Sequence, residues 1–582
     1  MLLFSHSIRV SYILLSFLIL FVTPLGFSFV YLKPHYLQAL GFPLATKSYL
    51  RPTLSSLSTM GLLPYFPAYS GPYSVGSIDI EVASADLVPH NQASSRIPET
   101  VACRVFYPAE QPEKKSHARP VYWIQDPQKD IVSAYGRFLG VSPRLATAFS
   151  YFSQLIYYVK IPVLRNAKLL HPPQASQRWP VMVFSHGLGG MRNSYSHICG
   201  SLASYGMVVY AMDHRDGSSP IQHIRATETT QSRVVDYKSY SHQPSPDVYD
   251  GRDEQLKIRL SELSMIHEVI LRTERGEEVR NLDPNHAKRK IFHTSDNSNF
   301  DKSLLSMFAG KIDVHTPGKI SWAGHSFGAA TTVQFVKSVY YHPKTPSSIL
   351  VLPPSDALKL QITQNTPVVL LDPWGLPLQS PATAALNRQP MPMFANPPSS
   401  TSTASPVLAI LSSAFYNWSG NLNQIKAALR NPNIEKSSRQ AHIFYPMESA
   451  HLSQSDFGIL FPNITKYVAK AAEPERTMRL NVRAILETLR QNGVTVADTT
   501  PEDMELTGER EEKEATGRGD WKILSTEEGA VRGWVSVPAD EVRHNRRERN
   551  SAEMSKVKYE KNFSGQEVNG DSLGDDELNG AR

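Results

Sequence analysis

The feature that most constrains what this chain can fold into is the pentapeptide Gly324-His325-Ser326-Phe327-Gly328. It stands between an apolar, β-prone run, Ile320 to Ala323, and a helix-compatible run from Phe327 to about Val339. Strand, sharp turn, helix is the setting of a G-x-S-x-G nucleophile elbow. Glycine is needed on both sides because the turn is so tight that a Cβ there would clash. The strained turn in its turn lifts the serine Oγ clear of the sheet. Serine is a weak nucleophile at its free pKa, so Ser326 calls for a histidine to take its proton and an acid to hold that histidine in one tautomer.

In α/β-hydrolases those partners follow in the order serine, acid, histidine. The segment TPVVLLDPWGLPL supplies the acid. Pro367 to Leu371 reads as a buried parallel strand, and Asp372 stands at its carboxyl end, where catalytic groups gather in open α/β sheets. In AHIFYPMESAHLSQSDF another β-prone run, Ala441 to Met447, leads into a short loop carrying His451. Position singles it out of nineteen histidines: it follows the last expected core strand and precedes a terminal helix. Glu448 and Asp456 are the rival carboxylates, but neither ends a core strand. An oxyanion hole takes one backbone N–H from the residue after the serine, here Phe327, and one from a loop after an earlier strand. The strand Val181 to Ser185 runs into His186-Gly187-Leu188-Gly189-Gly190, which points to the Leu188 N–H. A phosphate loop would need a Lys-Ser/Thr or full G-x-G-x-x-G spacing that this turn lacks.

These residues lie in blocks that resemble the platelet-activating factor acetylhydrolase family, plasma and type II intracellular group, in an elongated form. The blocks are GPYSVGSIDIEV from Gly71, VFSHGLGGMRNSYSHICGSLASYGMVVYAMDHRDGSSP from Val183, GRDEQLKIRLSEL from Gly251, GHSFGAAT from Gly324, LLDPWGLPL from Leu370 and AHLSQSDF from Ala450. The resemblance implies an α/β-hydrolase fold with a mostly parallel central sheet flanked by helices, over about 65–495. It places the triad on Ser326, Asp372 and His451 and the oxyanion donors on Leu188 and Phe327. It implies calcium-independent hydrolysis of the sn-2 acetyl or short, oxidised acyl ester of a phospholipid, with no cofactor and no metal. The same machinery would serve a carboxylesterase or lipase on other small esters. A non-catalytic protein on an esterase scaffold is a third reading, and it usually lacks a triad member. His214-Arg215-Asp216, resembling the family's HRD segment, reads as structural, tying down a loop under the site.

A net charge of +6 over 582 residues, with Lys and Arg dispersed among nearly as many acids, gives no support to nucleic-acid binding. Cys103 and Cys199 sit in apolar contexts and read as buried hydrophobes rather than a disulfide. No zinc-type Cys/His spacing is present. Residues 1–35 form a separate N-terminal unit. Its 23 uncharged residues from Val10 to Leu32 suffice to span a hydrocarbon core of roughly 30 Å as a helix. A single-pass signal anchor in the endomembrane or secretory system is the reading preferred, and a cleaved signal peptide on a secreted enzyme is its rival. Asn417, Asn463 and Asn562 begin N-x-S/T sequons, which matter only in the secretory lumen. Residues 134–164 are aromatic-rich, with Phe149, Phe152, Ile156 and Tyr157 at helical spacing, a stripe that is more often core than membrane surface. It lies beside the region where the family's interfacial helices occur, so the resemblance implies a lipid surface as a partner beside the phospholipid substrate. Residues 379–405 read as an irregular surface loop and 276–318 as a polar insertion. From 499 to 582 alternating charges predict a disordered tail.

Overall fold

The computed structural model describes residues 64–539, apart from 90–95, 113–118, 154, 175, 286–303, 346–347, 397–403, 434–438 and 507–519. The strands, in chain order, are β1 (Val75–Ala83), β2 (Thr100–Pro108), β3 (Leu164–Arg165), β4 (Trp179–Ser185), β5 (Val208–Met212), β6 (Ile221–Ile224), β7 (Arg233–Asp236), β8 (Ile312–Asp313), β9 (Ser321–His325), β10 (Val368–Leu371), β11 (Val407–Ile410), β12 (His442–Pro446) and β13 (Trp534–Ser536). The helices that bear on the site are α1 (Gln128–Phe138), α2 (Pro143–Phe152), α3 (Ser196–Ser204), α4 (Pro246–Glu274), α5 (Phe327–Tyr341) and α6 (Pro474–Gln491).

The continuous apolar runs of β4, β9, β10 and β11 are buried along their whole length, as strands covered on both faces must be. Alternate side chains go to opposite cores. Val181 and Val183 of β4 join one apolar cluster, and Met182 and Phe184 join the other. One sheet runs β13-β12-β11-β10-β9-β4-β5-β2-β1-β3, with β8 alongside β4. The pairs from β12 through β5 are parallel, whereas β2 on β5, β1 on β2 and β13 on β12 are antiparallel. A mostly parallel sheet, helices on both faces, and a nucleophile-type turn after a central strand make this an α/β-hydrolase fold. β6 and β7 form a separate hairpin.

Four expectations from the sequence need comment. Residues 520–539 are not a disordered tail: they return to the sheet as β13. The aromatic and aliphatic groups in WKIL and GWVSVP, with Ile523, Leu524, Val531 and Trp534 buried, outweigh the surrounding charge. Asp520, also buried, pairs with Arg483 of α6. Residues 379–396 are not a loose surface loop either. They form short helical turns that bury Leu386, Met391, Met393 and Phe394. The aromatic stripe divides, since Phe152 faces solvent while Tyr157 is buried. The expected anchor, Val10 to Leu32, lies outside the described residues, and among the described residues no helix is long and apolar enough to cross a membrane.

Candidate active site

β9 lies between β4 and β10, and the register sets Ser185 opposite Gly324 and Leu371 opposite His325. Three strands therefore end at one level, and the residues just beyond them meet. Ser326 donates its N–H to Leu371 O at 2.8 Å and sits at φ 57°, ψ −117° before α5 begins. A non-glycine residue held there stores about 1–3 kcal/mol of strain. The neighbouring glycines are explained by close approach. A Cβ on Gly324 would lie 2.3 Å from Gly328 O, and one on Gly328 would lie 2.0 Å from Ser185 O. Gly187 meets the serine itself, because a Cβ there would stand 2.9 Å from Ser326 Cβ.

Asp372 follows β10 directly, in the left-handed region at φ 41°, with its N–H donated to Ile410 O at 2.8 Å. It is fully buried. One carboxylate oxygen accepts the Ser412 N–H, and the other accepts from His451 Nδ1 at 2.8 Å, across 79 residues of sequence. Donation from Nδ1 leaves Nε2 as the basic nitrogen. The His451 ring lies between two others: Phe415 stacks on it at 4.5 Å and 5°, and His325 faces it at 4.3 Å. One ring nitrogen each of His325 and His451 and a carboxylate oxygen of Asp372 all fall within 4.8 Å of one another. The rivals go elsewhere. Glu448 is exposed, and Asp456 accepts from Ser196 and His197 at the start of α3 and from Trp123 Nε1 at 3.1 Å.

His325 and Tyr195 support this layer. Tyr195 accepts the Gly187 N–H at 3.2 Å and bonds His325 Nδ1 at 2.8 Å. Burial, with His451 alongside, pushes His325 well below the ordinary histidine range, so it stays neutral near pH 7.

The loop after β4 closes a turn in which Gly190 N donates to Gly187 O at 3.1 Å and Gly189 has φ 69°. Positive φ at the third position is the type II pattern, with Leu188 second. Gly189 N donates to Ser218 O at 2.8 Å. Phe327 opens α5, where backbone N–H groups have no intrahelical acceptor. Beneath the Leu188 turn and the start of α5 lies Arg259 of α4, wholly buried. Its guanidinium donates to His186 O at 2.8 Å, to Ser218 Oγ at 2.6 Å and to Asp216 Oδ2 at 2.7 Å, and it covers the Phe327 ring at 4.4 Å. The His-Arg-Asp block thus sits under the loop, entirely buried. His214 bonds Ser185 Oγ at 2.8 Å and Glu262 at 2.6 Å. Arg252, Gln255, Arg259 and Glu262 recur at i, i+3, i+7 and i+10, one face of α4, and all are buried. Charged groups recurring at helical spacing usually mark a solvated face, and here they do not. Phe415 and Ser412 carry no local signal at all, since only strand order brings them to His451 and Asp372.

A sequence profile of the family described as platelet-activating factor acetylhydrolase, isoform II, matches residues 63–511. The chain belongs to that family. Within it, a Schizosaccharomyces pombe protein named "Putative phospholipase A2" is 26% identical over 464 residues, covering 74% of this chain and 92% of its own length. A platelet-activating factor acetylhydrolase of Cavia porcellus is 30% identical over 274 residues, covering 46% of this chain and 51% of its own. Among solved structures, a ferulic acid esterase from Streptomyces cinnamoneus aligns over 73% of this chain and 92% of its own at 14% identity, with a TM-score of 0.36. Family membership makes the chain an ester hydrolase.

Proposed function

We propose that this family member is a calcium-independent serine esterase that cleaves the sn-2 acetyl or short acyl ester of a phospholipid through an acyl-enzyme on Ser326. The observation that carries the reading is the 2.8 Å bond from His451 Nδ1 to the buried Asp372, at the level of a strained serine turn. In this mechanism His451 Nε2 takes the Ser326 proton as Oγ attacks the ester carbonyl. The oxyanion is met by the N–H groups of Leu188 and Phe327, and Asp372 stabilises the imidazolium. Collapse breaks the bond to the glycerol oxygen, which leaves with the proton from His451. Water then repeats the sequence to release the acid.

Support for a lipid surface comes from α2 and the turn after it, where Leu145, Tyr151, Phe152 and Tyr158 are exposed. Lone apolar groups are ordinary on a surface, but here four exposed ones fall within fourteen residues. Attachment through residues 1–35 would hold the enzyme at its substrate. A full-length protein that stays in the membrane pellet through a carbonate wash supports this, and a soluble mature chain starting near Phe29 refutes it.

The central test is Ser326→Ala with covalent labelling by a fluorophosphonate. The expected loss is on the order of 10⁶ in kcat, with a single labelled peptide containing Ser326. Several per cent residual activity in a clean preparation would overturn the assignment. Assays on phosphatidylcholines with acetyl, oxidised and long sn-2 chains, beside p-nitrophenyl esters, separate the phospholipid reading from a general carboxylesterase.

A further inference from the structure

Tyr195 meets three parts of the site at once. It stands at the entry to α3, and its side chain is buried. The ring packs on Phe184 of β4 at 5.1 Å and on His325 at 5.3 Å, and a Cβ on Gly190 of the oxyanion loop would lie 3.2 Å from it. Its backbone is gripped by the segment that follows His451. Asp456 donates its N–H to Ser194 O at 2.9 Å, and its carboxylate accepts the N–H groups of Ser196 and His197, each at 2.9 Å. Packing and main-chain bonds thus hold the ring, which leaves the hydroxyl free for another task.

That hydroxyl has one proton to give, and its surroundings decide where the proton goes. The Gly187 N–H occupies a lone pair at 3.2 Å. The other hydrogen-bond partner among the described residues is His325 Nδ1 at 2.8 Å, so the proton is directed there. Nδ1 is then an acceptor, and the hydrogen of the neutral ring stands on Nε2. Nε2 is buried and makes no hydrogen bond of good geometry. The main-chain group that acts on the ring is that of His451, and it favours protonation, as a carbonyl does and an N–H does not. With Nδ1 taken by Tyr195, Nε2 is the nitrogen left to meet it. In the opposite tautomer a bare Nε2 would confront the His451 carbonyl oxygen, lone pair against lone pair. The His325 ring is also one wall of the His451 ring, 4.3 Å away and with Phe415 as the other.

We propose that Tyr195 is a positioning residue of the esterase: by donating to His325 Nδ1 it sets the tautomer against which His451 rests, and so keeps the general base in register with Ser326. The same oxygen ties that layer to Gly187, whose Cα approaches Ser326 so closely that a Cβ there would stand 2.9 Å from the serine Cβ. The inference rests on the serine-esterase reading above and adds to it a residue that acts through another.

The test is a double-mutant cycle in the full chain, with p-nitrophenyl acetate as substrate and active sites counted by fluorophosphonate labelling run to completion. Tyr195→Phe deletes one oxygen and keeps the ring. Its kcat per labelled site is expected to fall about tenfold to hundredfold, the range for a buried polar group left without its partner, with KM within about twofold of the parent. His325→Leu removes the acceptor, and His325→Asn keeps an acceptor oxygen at the place of Nδ1. Deleting the hydroxyl should cost at least about fivefold less in the His325→Leu background than in the His325→Asn background, because only the second still receives its proton. A kcat per site within about twofold of the parent in Tyr195→Phe, a rise in KM in its stead, or an equal loss in both backgrounds would overturn the role. If Tyr195→Phe does not fold, the two His325 variants decide: kcat of His325→Asn should exceed that of His325→Leu at least about fivefold, and equal values refute the proposal. Ser326→Ala run in parallel separates the failures, because an active Ser326→Ala sinks the esterase reading, whereas an inactive one confines any failure to Tyr195.

Discussion

At the scale of single residues, the site depends on one carboxylate having the right address. Asp372 receives two donors, Ser412 N–H and His451 Nδ1–H, and is closed off from water, so its negative charge is directed at the imidazole. Replacing it by Asn presents an amide N–H to Nδ1 and favours the wrong tautomer. Asp372→Asn is expected to lower kcat roughly 10⁴-fold, measured on a soluble acetyl ester. Glu448→Gln serves as the control, since Glu448 is exposed and bonds neither histidine of the layer. Should the glutamine be as damaging and the asparagine mild, the acid has been misassigned. His325 shows how burial allots roles. Two imidazoles stand 4.3 Å apart, and the one enclosed by protein is kept neutral while its neighbour keeps access to solvent.

At the scale of elements, α4 acts as a buried polar brace rather than a surface helix. Arg259 links the loop of Leu188 and the first turn of α5 through one rigid guanidinium. Lysine keeps the charge beside Asp216 but cannot also reach His186 O and Ser218 Oγ. Arg259→Lys should lower kcat about 10²–10³-fold, the scale of losing one oxyanion donor, with KM little changed. A folded variant with kcat within about twofold of the parent would show that the loop holds its place unaided. The edge strand β13 is the second case. Trp534 stacks on Phe444 at 5.4 Å and donates to Ile523 O at 2.8 Å. Trp534→Ala should cost about 3–5 kcal/mol in urea denaturation. A loss under about 1 kcal/mol would mean that β13 merely rests on the sheet.

At the scale of the whole molecule, a cluster of buried acids and guanidiniums runs from β1 and β2 to the loop after β5. Burial alone would raise the pKa values of Asp79, Glu81, Asp213 and Asp216. The charges of Arg104 and Arg192, Arg215, and Arg259 outweigh it and hold all four below the ordinary range. Asp79 is paired with Arg104 through both oxygens, at 2.8 and 2.6 Å. A carboxylate whose folded pKa is depressed contributes stability above its unfolded pKa of about 4, and that stability is lost as pH falls toward the folded value. Melting temperature is therefore expected to fall steeply below about pH 4, from these four sites together. A melt unchanged down to pH 3 would contradict this. Removing one partner of a buried pair strands the other, so Arg104→Met alone should destabilise more than Arg104→Met with Asp79→Leu.

Much of the site could be read from local sequence, because its parts lie at strand ends, and strand ends are written in short apolar runs followed by glycine or acid. Gly324 to Gly328, Asp372 after VVLL, and the glycine loop around Leu188 all follow this rule. The unbroken apolar runs likewise determine a sheet buried on both faces. What local pattern cannot encode is which distant groups share a level. Phe415 and Ser412 reach the histidine and the acid only because β11 lies beside β10. The charged stripe of α4 and the charged segment holding β13 look solvated in sequence, since charge predicts exposure unless a partner is at hand. Asp216 for Arg259 and Asp520 for Arg483 are those partners, 43 and 37 residues away. Local pattern pointed to the fold class and the chemistry. Only tertiary pairing decided which charges stay in water, because burying a charge is favourable only where the fold delivers its counter-charge.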